Sequence, residues 1–520
     1  MFSSYKLGSM IMAYSIYQYI SLLLSYAHLT SSSLVETTTG GTTNVTNQSN
    51  TTVLQPYTRG WTPSPNGRGT ADIIWSCTIT MFLCSWSVLC LQVPSQTDTR
   101  LALFVRRWWL TALCVLGPEF TLQLALGQWS AARKSVRDFR DAGFQDWSIK
   151  HAFYANSGGF ILYTTDFKPI PLNEQQLLYL IKKRYVKYPT ITTQAIDDKN
   201  KVDVLLRLIS LLQILWFTSS LIARAVQGLV ITAMELTTAA FILCSLGTTF
   251  CWWNKGADVT IPDRIHSSKT MREIISDAQA DGMYHRTPLD FISRQEWHWS
   301  LYWTHWINIL RKMHIVFAPK ALPHDRIENT LWLDLTARGS MVGFMLMCFA
   351  YSAIFMAAWN DYFPTTIEQV LWRISSLSMM GAVILYFVVT GFAYLLWPAL
   401  ERYTTKKEVV KSIECAALPF KNDTTGVENV ASTSHGHSSQ SSKKTGRFSS
   451  LAARIRNNST SKDPALSVPL KATLPMYLVG FFYCVSRTSI FVLDIIQLRS
   501  MPPSAYETVE WSAFVPHLGS

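Results

Sequence analysis

The chain has 520 residues, 48% of them hydrophobic and only 15% charged, with a mean hydropathy of +0.13 and a formal net charge of +12. A soluble chain of that length would divide into several domains with strongly charged surfaces, and this composition argues instead for a membrane protein. Of the 46 Lys and Arg residues, 35 fall in three polar blocks at 128–203, 254–338 and 401–472. Because these blocks flank apolar stretches, their charge fits anionic cytoplasmic lipids, and nucleic acid is not an expected partner.

At the N-terminus, Met10–Ala27 is apolar and aromatic and follows Lys6, so it reads as a signal peptide or signal anchor. A Ser/Thr-rich tract with three sequons, at Asn44, Asn47 and Asn50, comes next and suits a glycosylated luminal arm. The later sequons at Asn422, Asn457 and Asn458 lie in a basic block and are expected to be unused. Seven of the nine cysteines (Cys77, Cys84, Cys90, Cys114, Cys244, Cys348 and Cys484) lie inside apolar segments, which argues for small hydrophobes rather than a disulfide framework.

Crossing ~30 Å of hydrocarbon takes about 20 mostly apolar residues. The candidates are Ile73–Leu91, Trp108–Gly127, Val204–Ala223, Gly228–Phe250, Ser340–Trp359, Ser375–Leu396 and Pro475–Ile496. The short link between Ala223 and Gly228 predicts a tight helical hairpin. The connection Asn360–Gln369 and the tail Ser500–Ser520 carry no Lys or Arg and belong outside, opposite the basic blocks.

A luminal arm and a cytosolic 128–203 leave one crossing too many before residue 128. Trp108–Gly127 is the weak one, with Gly117-Pro118-Glu119 at its middle and Trp108 and Trp109 beside Arg106 and Arg107. Proline removes a backbone donor and a carboxylate is costly in lipid, so a re-entrant or interface-lying helix pair is expected. The alternative is a normal span, with the arm cytosolic or the 128–203 loop luminal.

Within 128–203, Ala131–Ala142 and Gln175–Tyr185 read as helices, separated by a turn at Gly158-Gly159 and the apolar stretch Phe160–Tyr163. Asp197-Asp198-Lys199 reads as a solvated helix start rather than a metal site, because lysines interleave the acids. In 254–338, the run Trp297–Trp306 suits a helix lying among headgroups. His298 and His305, seven apart within it, read as a polar edge rather than ligands. Gly426–Lys462 is expected to be disordered.

These readings give an all-α, polytopic membrane fold of about six to eight transmembrane or re-entrant helices with cytosolic loop helices. In chain order the stretches are 1–28 (signal peptide or anchor), 29–71 (luminal arm), 72–127 (first membrane helices) and 128–203 (cytosolic basic loop). The hairpin 204–253 follows, then 254–338 (cytosolic loop with the aromatic helix), the pair 339–398, the cytosolic loop 399–472, the last helix 473–498 and the outside tail 499–520.

Ionisable groups inside apolar segments are the functional candidates. Glu119, Glu235, Arg487 and Asp494 are read as ligand or proton handles, with a Glu235–Arg487 or Glu119–Arg487 ion pair as the plainer expectation. Arg207 and Arg373 sit near segment ends and snorkel. No P-loop, GxSxG, HExxH, Rossmann or kinase pattern occurs, so no catalytic residue, metal or cofactor is assigned.

Arg59-Gly60-Trp61, Pro65-Asn66-Gly67-Arg68-Gly69-Thr70, Ile73-Ile74-Trp75-Ser76-Cys77, Gly117-Pro118-Glu119 and Tyr506-Glu507-Thr508-Val509-Glu510-Trp511 carry a resemblance. The chain resembles a large family of fungal multi-pass integral membrane proteins of unassigned molecular function. The resemblance implies a fungal membrane protein of the plasma membrane or an endomembrane and transfers no catalytic residue. Three functions remain open: transport or sensing of a small or lipophilic ligand, membrane-embedded catalysis on a terpenoid- or polyketide-like substrate, and scaffolding through the 401–472 loop.

Overall fold

The computed structural model describes residues 58–64, 67–95, 98–199, 204–257, 259, 261–280, 287–293, 305–309, 311–312, 327, 338–392, 396–397, 453, 456 and 470–511. The signal segment, the sequons at Asn44, Asn47 and Asn50, most of the aromatic run including His298, and nearly all of 399–472 lie outside the described residues.

Among the described residues, six helices are long and apolar enough to cross a membrane. They lie in α1 (Thr70–Val88), α7 (Val204–Val226), α8 (Ala233–Trp252), α11 (Arg338–Ala357, continued by a short 3-10 turn), α12 (Thr366–Gly391) and α13 (Leu470–Gln497). The polytopic all-α reading therefore holds. Helix α8 is the axis: 83% of its apolar stretch is buried, against 28–44% for the other five. Its small residues let neighbours approach closely, as membrane helix packing requires. At Gly247 a Cβ would meet Leu122 Cδ1 at 2.9 Å and Met347 Cε at 3.1 Å. The outer helices instead present Leu208, Leu212, Trp216, Ile384, Val388, Leu478, Phe482 and Ile495 outward, an apolar belt suited to lipid.

The link expected at Ala223–Gly228 lies a few residues later, at 227–232. Helices α7 and α8 are joined by a short link, but α7 packs mainly on α1. Arg224, in the last turn of α7, ties the link to the C-terminal tail. Its Nη2 donates to the carbonyls of Val230 (2.7 Å), Ser504 (2.9 Å) and Ala505 (3.1 Å), and Nη1 donates to Glu507 O at 2.8 Å.

Arm and tail meet at this same end of the bundle. Arg59 and Met501 exchange backbone bonds of 2.8 and 2.9 Å, Arg68 N donates to Tyr506 O, and the Tyr506 hydroxyl donates to Gly60 O at 3.1 Å. The turn between α11 and α12 also lies here, because Gln497 Nε2 donates to Tyr362 O at 2.7 Å.

At the opposite end, the described parts of 128–203 and 254–293 fold together as one unit. It is built on α3 (Pro118–Asp141), α4 (Ile149–Asn156), α5 (Glu174–Lys182), α6 (Thr193–Asp198), α9 (Met271–Asp277) and the short α10 (Asp290–Ser293). A three-stranded sheet joins them, ordered β2 (Ile170–Leu172), β1 (Phe160–Tyr163), β3 (Asp263–His266), with β1 antiparallel to β2 and parallel to β3. Phe139 stacks on Trp147 with ring centroids 3.9 Å apart in its core, beside Phe153, Phe160, Leu177 and Ile274. Asp197 pairs with Lys150, and Lys199 with Asp263, both at 2.6 Å. The acidic run thus fastens the unit together.

Candidate ligand site at the tip of the broken helix pair

Helix α2 (Arg100–Leu116) and α3 meet at Gly117 with a bend of 111°. Pro118 causes the break: it has no N–H to continue α2 but fits the first position of α3, where none is needed. Gly117 closes α2 through its own N–H to Leu113 O, 2.9 Å, and is held tightly. A Cβ there would lie 2.5 Å from the Phe120 ring.

The pair does not cross the bundle. Lys255 Nζ donates to Cys90 O (3.0 Å), ahead of the pair, and to Gln128 Oε1 (2.8 Å), behind it. Trp252 Nε1 also donates to Gln128 Oε1, at 3.0 Å. Entry and exit therefore share one end, and Gly117-Pro118-Glu119 is the tip of a re-entrant excursion. Lys255 lies just beyond the last turn of α8, and burial lowers its pKa to about 8.

The tip meets α13 and α11 among buried side chains. The Tyr483 hydroxyl donates to Glu119 Oε1, and Arg487 Nε donates to Leu116 O, 3.2 Å, a carbonyl that the end of α2 leaves open. The Arg487 guanidinium lies 4.4 Å from the ring centre of Phe491, 5.3 Å from that of Phe355 and 5.6 Å from that of Tyr351. Glu119 is 6% exposed and Arg487 3%.

Both Nη atoms of Arg487 have no hydrogen-bond partner, and Glu119 Oε2 has none of good geometry, its neighbour being the Tyr351 hydroxyl, which lies beside the carboxylate. Glu119 and Arg487 form no direct ion pair, so the expected pairing is not made. Each buried, unsatisfied group costs about 1–3 kcal/mol, and charged ones cost more. An arrangement that leaves several together is costly as architecture, and it is suited to receiving a ligand.

The other sequence candidates have different settings. Glu235 does not pair with Arg487. It is the third residue of α8, where Oε2 accepts from Thr232 N (2.9 Å) and Thr232 Oγ1 (3.0 Å), while Oε1 pairs with Arg68 of the arm. A capping box and an ion pair thus engage both of its oxygens. Asp494 Oδ1 accepts from Thr237 at 3.1 Å, and its Oδ2 is buried without a partner. Arg207 reaches Cys90 Sγ, and Arg373 bonds Trp359 O, each near a helix end.

Sequence reasoning missed Arg68, Arg224, Tyr351, Tyr483 and Lys255. The tyrosines do not appear in a search for charges, and Arg224 falls one residue beyond the span assigned to it. Arg68 stands in a Gly-rich stretch of the arm, where nothing local announces its partner.

A crevice between α1, α7 and α8, lined by Ser87, Cys90, Arg207, Ser245 and Trp252, has a volume of about 30 Å³, enough for a water or two. It is separate from the tip.

Fold and site together define a polytopic α-helical membrane protein with a re-entrant helix pair ending in a buried, incompletely partnered acid–base cluster. Residues 45–280 match the model of a family of unknown function (DUF8562). That region contains Arg68, Glu119 and Glu235, whereas Arg487 and Asp494 lie beyond it. No curated protein and no solved structure matches the chain.

Proposed function

We propose that the protein binds a small or lipophilic ligand at the tip of the re-entrant pair, to transport or sense it. The supporting observation is the burial of Glu119 and Arg487 there with both Nη atoms of Arg487 unpartnered. Broken helices whose ends project into a bundle are a recurrent way to build ligand and ion sites in membranes.

In this reading the basic blocks face the cytosol and contact anionic lipids, while the arm and tail face outside or the lumen. Even crossing of the six helices between arm and tail supports that arrangement, as does the division of basic segments from the Arg-poor turns. We also take the fungal resemblance as part of this reading, with the plasma membrane or an endomembrane as the location. Fusing topology reporters to residue 62 and to the C-terminus tests it: a cytosolic signal from either overturns the orientation.

The second reading, a membrane-embedded enzyme acting on a terpenoid- or polyketide-like substrate, has support from the Tyr483–Glu119 bond, which joins a proton donor to a carboxylate. Scaffolding through 401–472 is the third. Metabolite profiles of cells producing equal amounts of folded wild type and Arg487→Gln separate them. A compound that changes in level or compartment supports ligand handling, conversion of one compound into another supports catalysis, and no change supports the scaffold.

A further inference from the structure

We infer that the ligand carries a carboxylate, held end-on by the two Nη atoms of Arg487, and that its binding takes up one proton on Glu119. The inference rests on the ligand-binding reading above and specifies the head group. Arg487 is fixed before any ligand arrives: Nε is committed to Leu116 O, and Phe491, Phe355 and Tyr351 surround the guanidinium. What remains is the outer edge of a planar fork, whose two parallel donors match a carboxylate.

Charge narrows the class further. The groups facing Glu119 are Arg487 and Tyr483 from α13, Tyr351 and Cys348 from α11, Cys244 from α8 and Cys114 from α2. Arg487 is the one cation of this set, and Asp494 faces it from the same helix. A dianionic phosphate would outnumber that single positive charge. A cationic head would meet the guanidinium directly, and a neutral alcohol would leave half the fork empty. A monoanionic carboxylate balances it.

Glu119 supplies the coupling. Its Oε1 is occupied by the Tyr483 hydroxyl, whereas Oε2 has no hydrogen bond of good geometry and only the Tyr351 hydroxyl beside it. An ionised Glu119 would compete for Arg487 and repel an entering carboxylate at short range in a medium of low dielectric. A proton taken from solvent onto Oε2 removes the repulsion and turns that oxygen into a donor towards the ligand. No bond other than O–H is made or broken.

The test uses the full chain in lipid nanodiscs with hexanoate, hexan-1-ol, hexylamine and hexyl phosphate as probes, followed by thermal unfolding and calorimetry between pH 6 and 8. Hexanoate is expected to bind most tightly, with about one proton taken up in buffers of differing ionisation enthalpy and an affinity falling about tenfold per pH unit where free Glu119 is ionised. Glu119→Gln should bind hexanoate without that pH dependence, and Arg487→Lys about tenfold more weakly or worse. If Arg487→Lys does not fold, the proton count on the wild type still decides.

Equal binding of hexan-1-ol, or tighter binding of hexyl phosphate or hexylamine, overturns the carboxylate assignment and leaves the ligand site standing. Hexanoate binding without proton uptake overturns the coupling. Failure of all four probes removes both the inference and the reading beneath it.

Discussion

The ion pair between Arg68 and Glu235 joins the arm to the axial helix, and replacing Arg68 by Ala isolates what it contributes. Glu235 has 5% of its side chain exposed and Arg68 16%, so removing the arginine strands a carboxylate that solvent barely reaches. Breaking a buried pair from one side costs about 3–5 kcal/mol. Two features move the expectation to the lower end. Thr232 still donates twice to Oε2, and Arg224 remains close enough to act on the same carboxylate. Arg68→Ala should therefore cost about 3 kcal/mol. Glu235→Gln keeps the capping geometry and leaves Arg68 able to turn towards solvent, so about 1–2 kcal/mol is expected. The double mutant should show a coupling of at least about 1 kcal/mol. The assay is equilibrium unfolding in mixed micelles followed by tryptophan fluorescence, with tryptic cleavage at Arg59 reporting release of the arm. A cost under about 0.5 kcal/mol for Arg68→Ala would show that the pair is a surface contact and refute the reasoning.

Gly117→Ala forces a Cβ into the Phe120 ring, which itself packs 5.4 Å from Tyr483, so the tip should shift at a cost of about 1–3 kcal/mol. Hexanoate affinity falling along with stability checks this, and unchanged values for both would refute it. Trp147→Ala removes a fully buried ring stacked on Phe139, together with its bond to Ser135 Oγ, and should cost about 3–5 kcal/mol. Loss of hydrogen-exchange protection in β1 and β2 is the readout. Glu174 titrates at about 8 instead of 4.5, because burial penalises its charge and Asp138 adds repulsion. Between those values the folded unit holds a proton that the unfolded chain has lost. Its stability should fall as pH rises, by up to about 1.4 kcal/mol per pH unit, and Glu174→Gln should flatten that slope. Thermal unfolding across pH 5–8 measures it, and parallel curves for wild type and variant would refute the assignment.

The spans were legible because a membrane leaves little choice: a stretch of about 20 apolar residues must satisfy its backbone within itself, and six such stretches became helices. The re-entrant pair was legible for a local reason too, since Gly117-Pro118-Glu119 carries both a helix break and a charge that lipid disfavours. What could not be read was pairing across distance. Arg68 and Glu235 are 167 residues apart, and β1 with β3 about a hundred, so neither leaves a local periodicity. Glu235 also met two competing demands. A charge-based reading sends it to Arg487, but Thr232 lies three residues before it at the start of α8, and local capping is satisfied before a distant partner is sought.

The same competition explains why the tip remains incompletely partnered. Arg487 has two acids within electrostatic range, yet neither bonds it: Asp494 is turned to Thr237 and Glu119 to Tyr483. Each acid has a hydroxyl of its own, and Arg487 spends Nε on the carbonyl that Pro118 sets free. A bundle selected only for stability would close these groups on one another or replace them with apolar residues of similar volume, often at no loss. Here every contact that holds the groups apart comes from a different element: α2 supplies the carbonyl, α8 the threonine and α13 the tyrosine. Restoring a direct pair would thus require several elements to move together. Exchanging Tyr483 for Phe is the smallest perturbation that frees Glu119, and on this argument it should let the carboxylate turn to Arg487. Stability would then rise or hold while hexanoate binding is lost, whereas a loss of stability with binding intact would mean that the tyrosine merely fills space.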